Sequence, residues 1–479
     1  MPNSAGRGAR LGALLTACAM LATCTSATAA AYEPAPAQLP APAISASLGP
    51  ARSLPPGYFG FNFDYAGVRE YDGDLAARYS QLAGLLPGTM RYPGGTQANY
   101  FQWHLGYPVD PPKGQCLASR PTGGFAFTLL DLKTAYEKTK APPVFDLNVM
   151  TSTLACQIAM LQQAHQDGLP VRYVELGNEL YIDSTDNVHY FPTAADYGTT
   201  VAAYVKAVHQ RFPQAQVAAV GALPQFTQRD RTWNQGMLMA AGQAGGQPDA
   251  ITLHVYPSYS QALTPGGLPG LFSEPYQMMQ QISSVTGALP PRLPTWLTEY
   301  NLLPKHAPNS NPAQTSYAQA LFVTEMDLLL VHRVPSAQLI QLWAAFGGDA
   351  SYAYTGKPGN PQLTPGGLAL TWVDKAAQGA TASRPIVFTS APVLPGGFPA
   401  LIGQIFTSAA GSSRILVNLS PSAVPVKAGT AIPAGAPYEQ ITFAGSPARQ
   451  VATASKLTIS HNKAGMVLTV PAHSIIKIG

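Results

Sequence analysis

From about residue 58 to about residue 384 the chain alternates short apolar runs with longer amphipathic stretches. Eight of the short runs read as strands: 58–64, 89–92, 144–150, 172–177, 216–221, 250–255, 295–298 and 338–342. Most are apolar throughout instead of alternating, as in strands of a parallel sheet that are buried on both faces. Between them, apolar residues at helical spacing predict helices over 75–86, 152–167, 193–211 and 316–332. Each strand-helix step has room for a right-handed crossover. Eight such steps predict an α/β fold, a (β/α)8 TIM barrel over residues 49–384. An open doubly wound sheet is the alternative, but no GxGxxG follows the first strand.

The pattern changes after Arg384. Helical periodicity stops, and Gly, Pro, Ser and Ala separate short β-like runs at 386–389, 401–408, 413–418, 439–443, 456–460, 465–470 and 474–478. Residues 385–479 therefore read as a C-terminal antiparallel β-sandwich, to which 41–53 are placed to add a strand. Residues 31–48 are rich in Ala and Pro and read as a linker. The first 30 residues carry Arg7 and Arg10, then an apolar run over 11–22, then Ala27-Thr28-Ala29. That order is a secretory signal with a cleavage site, and the run is too short to span a bilayer. Leu21-Ala22-Thr23-Cys24 resembles a lipobox, which keeps a lipid on Cys24 open as an alternative. A secreted location, extracellular or periplasmic, is expected, without stable membrane insertion.

Composition narrows the partners. Charged residues make up only 11% and the net charge is +4, with no Lys/Arg-rich run, so nucleic acid is not an expected partner. Outside the signal two cysteines remain, Cys116 and Cys156, and an exported chain is expected to join them as a disulfide. No HxxH or CxxC spacing points to a metal centre. Nothing in the sequence reads out an oligomeric state.

The candidate chemistry lies where barrel strands end. In a barrel the C-terminal strand ends form the active-site face. Tyr173-Val174-Glu175-Leu176-Gly177-Asn178-Glu179 is an apolar strand ending in an amide and a carboxylate. Pro294-Thr295-Trp296-Leu297-Thr298-Glu299 is a second strand ending in Glu. Counting strands puts Glu179 after the fourth and Glu299 after the seventh, across the mouth from each other. Glycosidases need such a pair, one carboxyl to protonate the leaving oxygen and one to attack or to activate water. The two must differ in pKa. Arg91 at the end of the second strand and Tyr256 after the sixth are the groups to hold Glu299 ionised, and His254 is a candidate to bind substrate or to pack the barrel. Glu175, at the same strand parity but deeper, reads as a buried, paired structural acid. Asp64 and Asn148, at the ends of strands one and three, are candidates to bind hydroxyls. Tyr65, Tyr181, Tyr300 and Trp343 are candidates to stack on sugar rings or to pack the barrel.

Together, Arg91-Tyr92-Pro93-Gly94-Gly95, Gly177-Asn178-Glu179, His254-Val255-Tyr256 and Thr298-Glu299-Tyr300-Asn301 resemble clan A retaining glycoside hydrolases. The resemblance is to family 79, the heparanase and β-glucuronidase group, with family 51, the α-L-arabinofuranosidases, second. The terminal 470–476 run is similar to the last sandwich strand of both. The resemblance implies Glu179 as acid/base, Glu299 as nucleophile, Asn178 on the sugar 2-hydroxyl and Tyr256 on the nucleophile. It implies a carbohydrate substrate and no cofactor. Two positions depart from the patterns: Thr298-Glu299-Tyr300 replaces the Asp-Glu-Trp usual in family 51, and Leu180 stands where family 79 often has Pro.

Overall fold

The computed structural model describes residues 42–70, 75–109, 115–117, 125–223, 227–257, 266–302, 316–347, 352–357 and 360–479. The expected signal segment and most of the expected linker lie outside these, as do parts of the loops over 96–125 and 258–275. Two short strands come first, β1 (Ala46–Leu48) and β2 (Arg52–Ser53). The barrel then begins with β3 (Phe59–Asn62) and β4 (Thr89–Tyr92). A two-stranded ribbon, β5 (Phe101–Gln102) and β6 (Tyr107–Pro108), interrupts it. The barrel resumes with β7 (Pro143–Asp146), β8 (Tyr173–Leu176), β9 (Gln216–Val220), β10 (Ala250–Val255), β11 (Thr295–Tyr300) and β12 (Ala337–Leu342). All eight expected strands are present, pair in parallel and close into a barrel.

Strand parity stacks two kinds of layer inside. Val144, Tyr173, Ala218, Ala250, Trp296 and Leu339 form an apolar plug low in the barrel. One step up each strand the inward residues turn polar: Asn62, Arg91, Asp146, Glu175 and Thr298, all essentially inaccessible. An apolar floor beneath a charged layer sets the C-terminal face up for chemistry. Among the helices outside, Ala194–Arg211 starts from a capping box in which Thr193 and Asp196 satisfy each other's backbone N–H.

After the barrel, β13 (Tyr354–Lys357) and β14 (Asn360–Leu363) form a hairpin. The C-terminal strands are β15 (Ala380–Phe388), β16 (Leu401–Ser408), β17 (Gly411–Asn418), β18 (Val424–Lys427), β19 (Pro437–Thr442), β20 (Thr458–Lys463), β21 (Val467–Val470) and β22 (Ser474–Ile478). One sheet runs β1-β15-β16-β17-β22-β19-β20, with β2 also on β15; β18 and β21 form a small second sheet. The end of the expected linker is thus strand: Ala46–Leu48 lies antiparallel to Ile386–Phe388. The expected start of the sandwich at 385 is late, because β15 begins at Ala380. β18 was not foreseen, since Val424-Pro425-Val426-Lys427 carries a proline in a short run. Parity again assigns the faces. Leu416, Ile476 and Ile478 meet Val426 and Leu468 of the small sheet, while Phe406, Ile415, Val417 and Ile475 join the barrel's own core.

Candidate active site

The Gly177-Asn178-Glu179 turn is built by backbone conformation. Gly177 sits at φ 90°, and a Cβ there would meet Leu180 Cδ1 at 2.9 Å and Val149 Cγ2 at 3.0 Å. Glu179 itself adopts φ 48°, a left-handed conformation uncommon outside glycine. Asn99 locks the turn from both sides: its Oδ1 accepts from Asn178 N at 2.9 Å and its Nδ2 donates to Asn178 O at 2.8 Å. Asn187 Nδ2 donates to Glu179 O at 3.0 Å. The strained turn is therefore held by two side-chain amides, Asn99 on the short helix Thr96–Tyr100 and Asn187 on the helix Thr185–Tyr190.

Glu299 arrives by a different device. β11 carries a register shift against both neighbours, between Leu297 and Tyr300 on one side and at His254 on the other. This bulge sends both Thr298 and Glu299 to the barrel interior and turns Tyr300 outward. Tyr300 donates its hydroxyl to Asp327 of the helix Tyr317–Arg333 and is fully buried. The expectation that Tyr300 faces a sugar is corrected by that change of parity.

Arg91 organises the layer between. Its Nε donates to Glu175 Oε2 at 2.6 Å, Nη1 to Asn62 Oδ1 at 3.0 Å and to Glu299 Oε1 at 2.7 Å, and Nη2 to Asn178 Oδ1 at 2.9 Å. Nη2 also lies 2.8 Å from Asp146 Oδ2. Four hydrogen bonds thus leave the fork, and Asp146 adds an ion pair without one. Tyr256 donates to the other oxygen of Glu299 at 2.6 Å. His254 lies between the two carboxylates, Nδ1 3.0 Å from Glu179 Oε1 and 3.4 Å from Glu299 Oε2. Its Nε2 is 3.2 Å from Thr298 Oγ1, which donates to Glu175 Oε1 at 2.9 Å. Glu175 is the buried, paired acid that its parity predicts. Oxygens of Glu179 and Glu299 and Nδ1 of His254 all lie within 4.8 Å of one another.

The electrostatics follow from burial and these contacts. Burial raises Glu179, but the hydrogen bond and charge of His254, with Arg91 and Tyr181 behind them, bring it below the ordinary glutamate value. For Glu299 burial wins: with His254, Arg91 and the Tyr256 hydroxyl pulling down and the Glu179 charge pushing up, the net is raised. Burial depresses His254, and the two carboxylates lift it above its ordinary value against the Arg91 charge. Asp146 is pushed well up by burial in spite of Arg91. These directions reverse the expected split, in which Glu299 is the ionised partner: burial outweighs Arg91 and Tyr256 at Glu299, and the His254 contact outweighs burial at Glu179.

The Glu179 side chain keeps 23% exposure against 6% for Glu299. Glu179 therefore fronts the open mouth, and Glu299 forms the floor. A cleft of about 370 Å³ opens beside them, lined by Glu179, Tyr181, Asp183, Asp230, His254 and Tyr256 among others. Tyr181 places its hydroxyl 3.4 Å from Glu179 Oε1. Trp343 is half-buried and lies over Gly95, where a Cβ would come within 2.3 Å of its ring. The second glycine of that motif is a seat for an indole. Three expected contacts are spent on architecture. Asp64 Oδ2 accepts from Gly67 N at 2.8 Å at the start of the helix Tyr65–Glu70. Asn148 bonds Phe101 O and both N and Oγ1 of Thr151. Tyr65 packs on Phe101 and Phe125. Cys116 and Cys156 are joined, Cα–Cα 5.7 Å, which takes up the two sulfurs near His104.

No protein-family model matches this chain, and no curated protein matches it in sequence. Solved structures do match its fold, over 91% of this chain and 99% of theirs. They include an α-L-arabinofuranosidase from Thermotoga maritima (17% identity, TM-score 0.68). A family 51 α-L-arabinofuranosidase from Bifidobacterium longum is similar (15%, 0.70), as is a 4-O-α-L-rhamnosyl-β-D-glucuronidase from Fusarium oxysporum (15%, 0.64). At these identities the likeness is one of fold: a closed parallel barrel with an antiparallel sheet domain.

Proposed function

We propose that this chain is a retaining glycosidase that cleaves oligo- or polysaccharide by double displacement. The observation that carries the reading is the approach of Glu179 and Glu299 within 4.8 Å, oxygen to oxygen. Retaining enzymes hold their carboxyls about 5–5.5 Å apart, and inverting enzymes leave about 6.5–9.5 Å for a water. In the first step Glu299 attacks the anomeric carbon while Glu179 protonates the departing oxygen at the open mouth. In the second, Glu179 takes a proton from water as water displaces Glu299. Arg91 and Tyr256 hold Glu299 by both oxygens and point its lone pairs at the sugar. The Nδ2 of Asn178, whose Oδ1 is on Arg91, is left for a sugar hydroxyl.

The described residues lining the cleft include two further carboxylates, Asp183 and Asp230, and no lysine or arginine. An uncharged sugar suits such a lining better than a uronic acid. An α-L-arabinofuranoside is the first candidate, in keeping with the arabinofuranosidases of like fold. A β-glucuronide is the second, carried by the motif resemblance to family 79. The signal-like N-terminal pattern and the Cys116–Cys156 bridge support work outside the cytoplasm. Aryl α-L-arabinofuranoside, β-glucuronide, β-xyloside, β-glucoside and β-galactoside form the test panel, with Glu299→Ala as control. Turnover that Glu299→Ala abolishes while its circular dichroism stays native is expected. A Glu299→Ala protein as active as wild type would refute the mechanism.

A further inference from the structure

Thr298 lies outside the reacting atoms, yet it decides the proton arrangement of the site. Its hydroxyl has one hydrogen. Glu175, ion-paired with Arg91 through Oε2, offers only lone pairs at Oε1, so Thr298 donates to it at 2.9 Å. The oxygen of Thr298 must then accept from the third atom in line, His254 Nε2, at 3.2 Å. His254 consequently carries a fixed hydrogen on Nε2, and any change in its charge takes place at Nδ1. That atom is the one 3.0 Å from Glu179 and 3.4 Å from Glu299.

We propose that Thr298 is a positioning residue that fixes the His254 tautomer, so that Nδ1 passes the catalytic proton to and from Glu179. The inference rests on the retaining-glycosidase reading of the site. Before sugar binds, the proton sits on Nδ1, between two carboxylates. When a sugar fills the cleft and removes water from Glu179, the proton moves from Nδ1 to Glu179 Oε1, leaving a neutral imidazole with Nε2–H. Glu179 then gives that proton to the glycosidic oxygen as the C–O bond breaks and Glu299 bonds the anomeric carbon. In the second half Glu179 takes a proton from the attacking water and Nδ1 recovers it. The groups facing His254 fit this traffic. Glu179 and Glu299 flank Nδ1, Glu175 acts through Thr298, Arg91 supplies the fixed positive charge, and the Tyr256 hydroxyl stays on Glu299. The bulge in β11 makes the relay possible, since it brings Thr298 and Glu299 inward together.

The ring can be read without turnover. In ¹⁵N-histidine-labelled protein, with His254→Asn to assign its signals, the neutral ring is expected to carry hydrogen on Nε2. A neutral wild-type ring with its hydrogen on Nδ1 and none on Nε2 would overturn the proposal. In Thr298→Val the neutral ring is expected to lose that preference, and in Thr298→Ser to keep it. With the sugar the panel identifies, Thr298→Val should lower kcat/KM for an alkyl glycoside about 10- to 100-fold, part of the ~10²–10⁴ that general acid–base transfer supplies. The 4-nitrophenyl glycoside, whose leaving group needs little protonation, should lose much less, and Thr298→Ser should restore both. An equal loss for both leaving groups, or none for either, would reduce Thr298 to packing. If Thr298→Val fails to fold, the wild-type tautomer and Thr298→Ser still decide. If no glycoside is cleaved while Nε2–H is found, the glycosidase reading falls and the tautomer assignment stands.

Discussion

A lysine in place of Arg91 would keep the charge and lose the fork. One ammonium has three hydrogens and a single centre, whereas Arg91 meets Glu175, Asn62, Glu299, Asn178 and Asp146 from three nitrogens. Arg91→Lys is expected to cut kcat/KM by about 10³ or more, on the scale of losing a preorganised electrostatic contact. Stability should fall by about 3–5 kcal/mol, because a buried carboxylate is left without its partner. Paired kinetics and urea melts check both. A variant within tenfold of wild type would mean that Tyr256 and His254 suffice to hold Glu299. Glu179 is the counterpart. It gains its place from φ 48° and from Asn99, so its position depends on residues that never approach a substrate.

Among the elements, the loop after Glu179 shows how a flexible-looking segment is made rigid. Arg229 donates to Leu180 O, Tyr181 O, Phe191 O and Pro192 O, and its guanidinium lies 4.6 Å from the Trp233 ring centre. One side chain from a neighbouring helix thus clamps both ends of a loop that lines the cleft. Arg229→Ala should raise KM about 5- to 10-fold with a smaller fall in kcat, since misplacement of Tyr181 disturbs sugar positioning more than proton transfer. Steady-state kinetics on the active aryl glycoside measure this, and an unchanged KM would show that the loop holds without the clamp. The Cys116–Cys156 bridge also ties a loop down, to the helix Leu154–Gln166. Closing a loop with sequence separation 40 is worth about 4 kcal/mol in the chain-entropy account.

These two cases also explain what was legible in the sequence. Each barrel strand could be read because each is a short apolar run between helices, and Glu179, Glu299, Arg91, His254 and Tyr256 could be read because they end such runs. Asn62, Asn99, Asp146, Thr298 and Arg229 were missed. Asn99 is 79 residues from the turn it holds, and nothing local marks the pair. Asp146 does end a strand and carried a usable signal, but Asn148, two residues on, was taken instead. Thr298 and Tyr300 depend on a bulge, which inverts parity without leaving a trace in composition.

At the scale of the whole molecule, the helices between barrel and sheet hide a set of acids. Asp327, Glu325 and Asp374 are buried on Tyr317–Arg333 and Pro365–Ala377. Burial pushes Asp327 up to about 8, with the Tyr300 hydroxyl pulling down, and holds Glu325 and Asp374 well above the usual carboxylate range. The unfolded chain ionises Asp327 near the ordinary 3.8. Between that value and about 8 the native state binds more protons than the unfolded state, so this group lowers stability as pH rises through the window. Asp327→Asn keeps an acceptor for Tyr300 and removes the titration. It should flatten the fall of Tm from pH 4 to pH 8 and raise Tm at pH 8. A thermal-melt series across pH tests this, and parallel curves for the two proteins would show that Asp327 ionises in the native state near its ordinary value.

The pairing of Ala46–Leu48 and Arg52–Ser53 with β15 has a consequence for synthesis. These strands leave the ribosome ahead of the whole barrel, but their partners at Ile386–Phe388 and Ala382–Ser383 emerge only after it. For most of translation they have nothing to pair with, and the outer face of the growing barrel waits for the same late sheet. Folding therefore ends where the chain began, and a nascent chain interrupted before residue 380 carries two unsatisfied edges, which makes it a substrate for chaperones instead of a smaller folded domain.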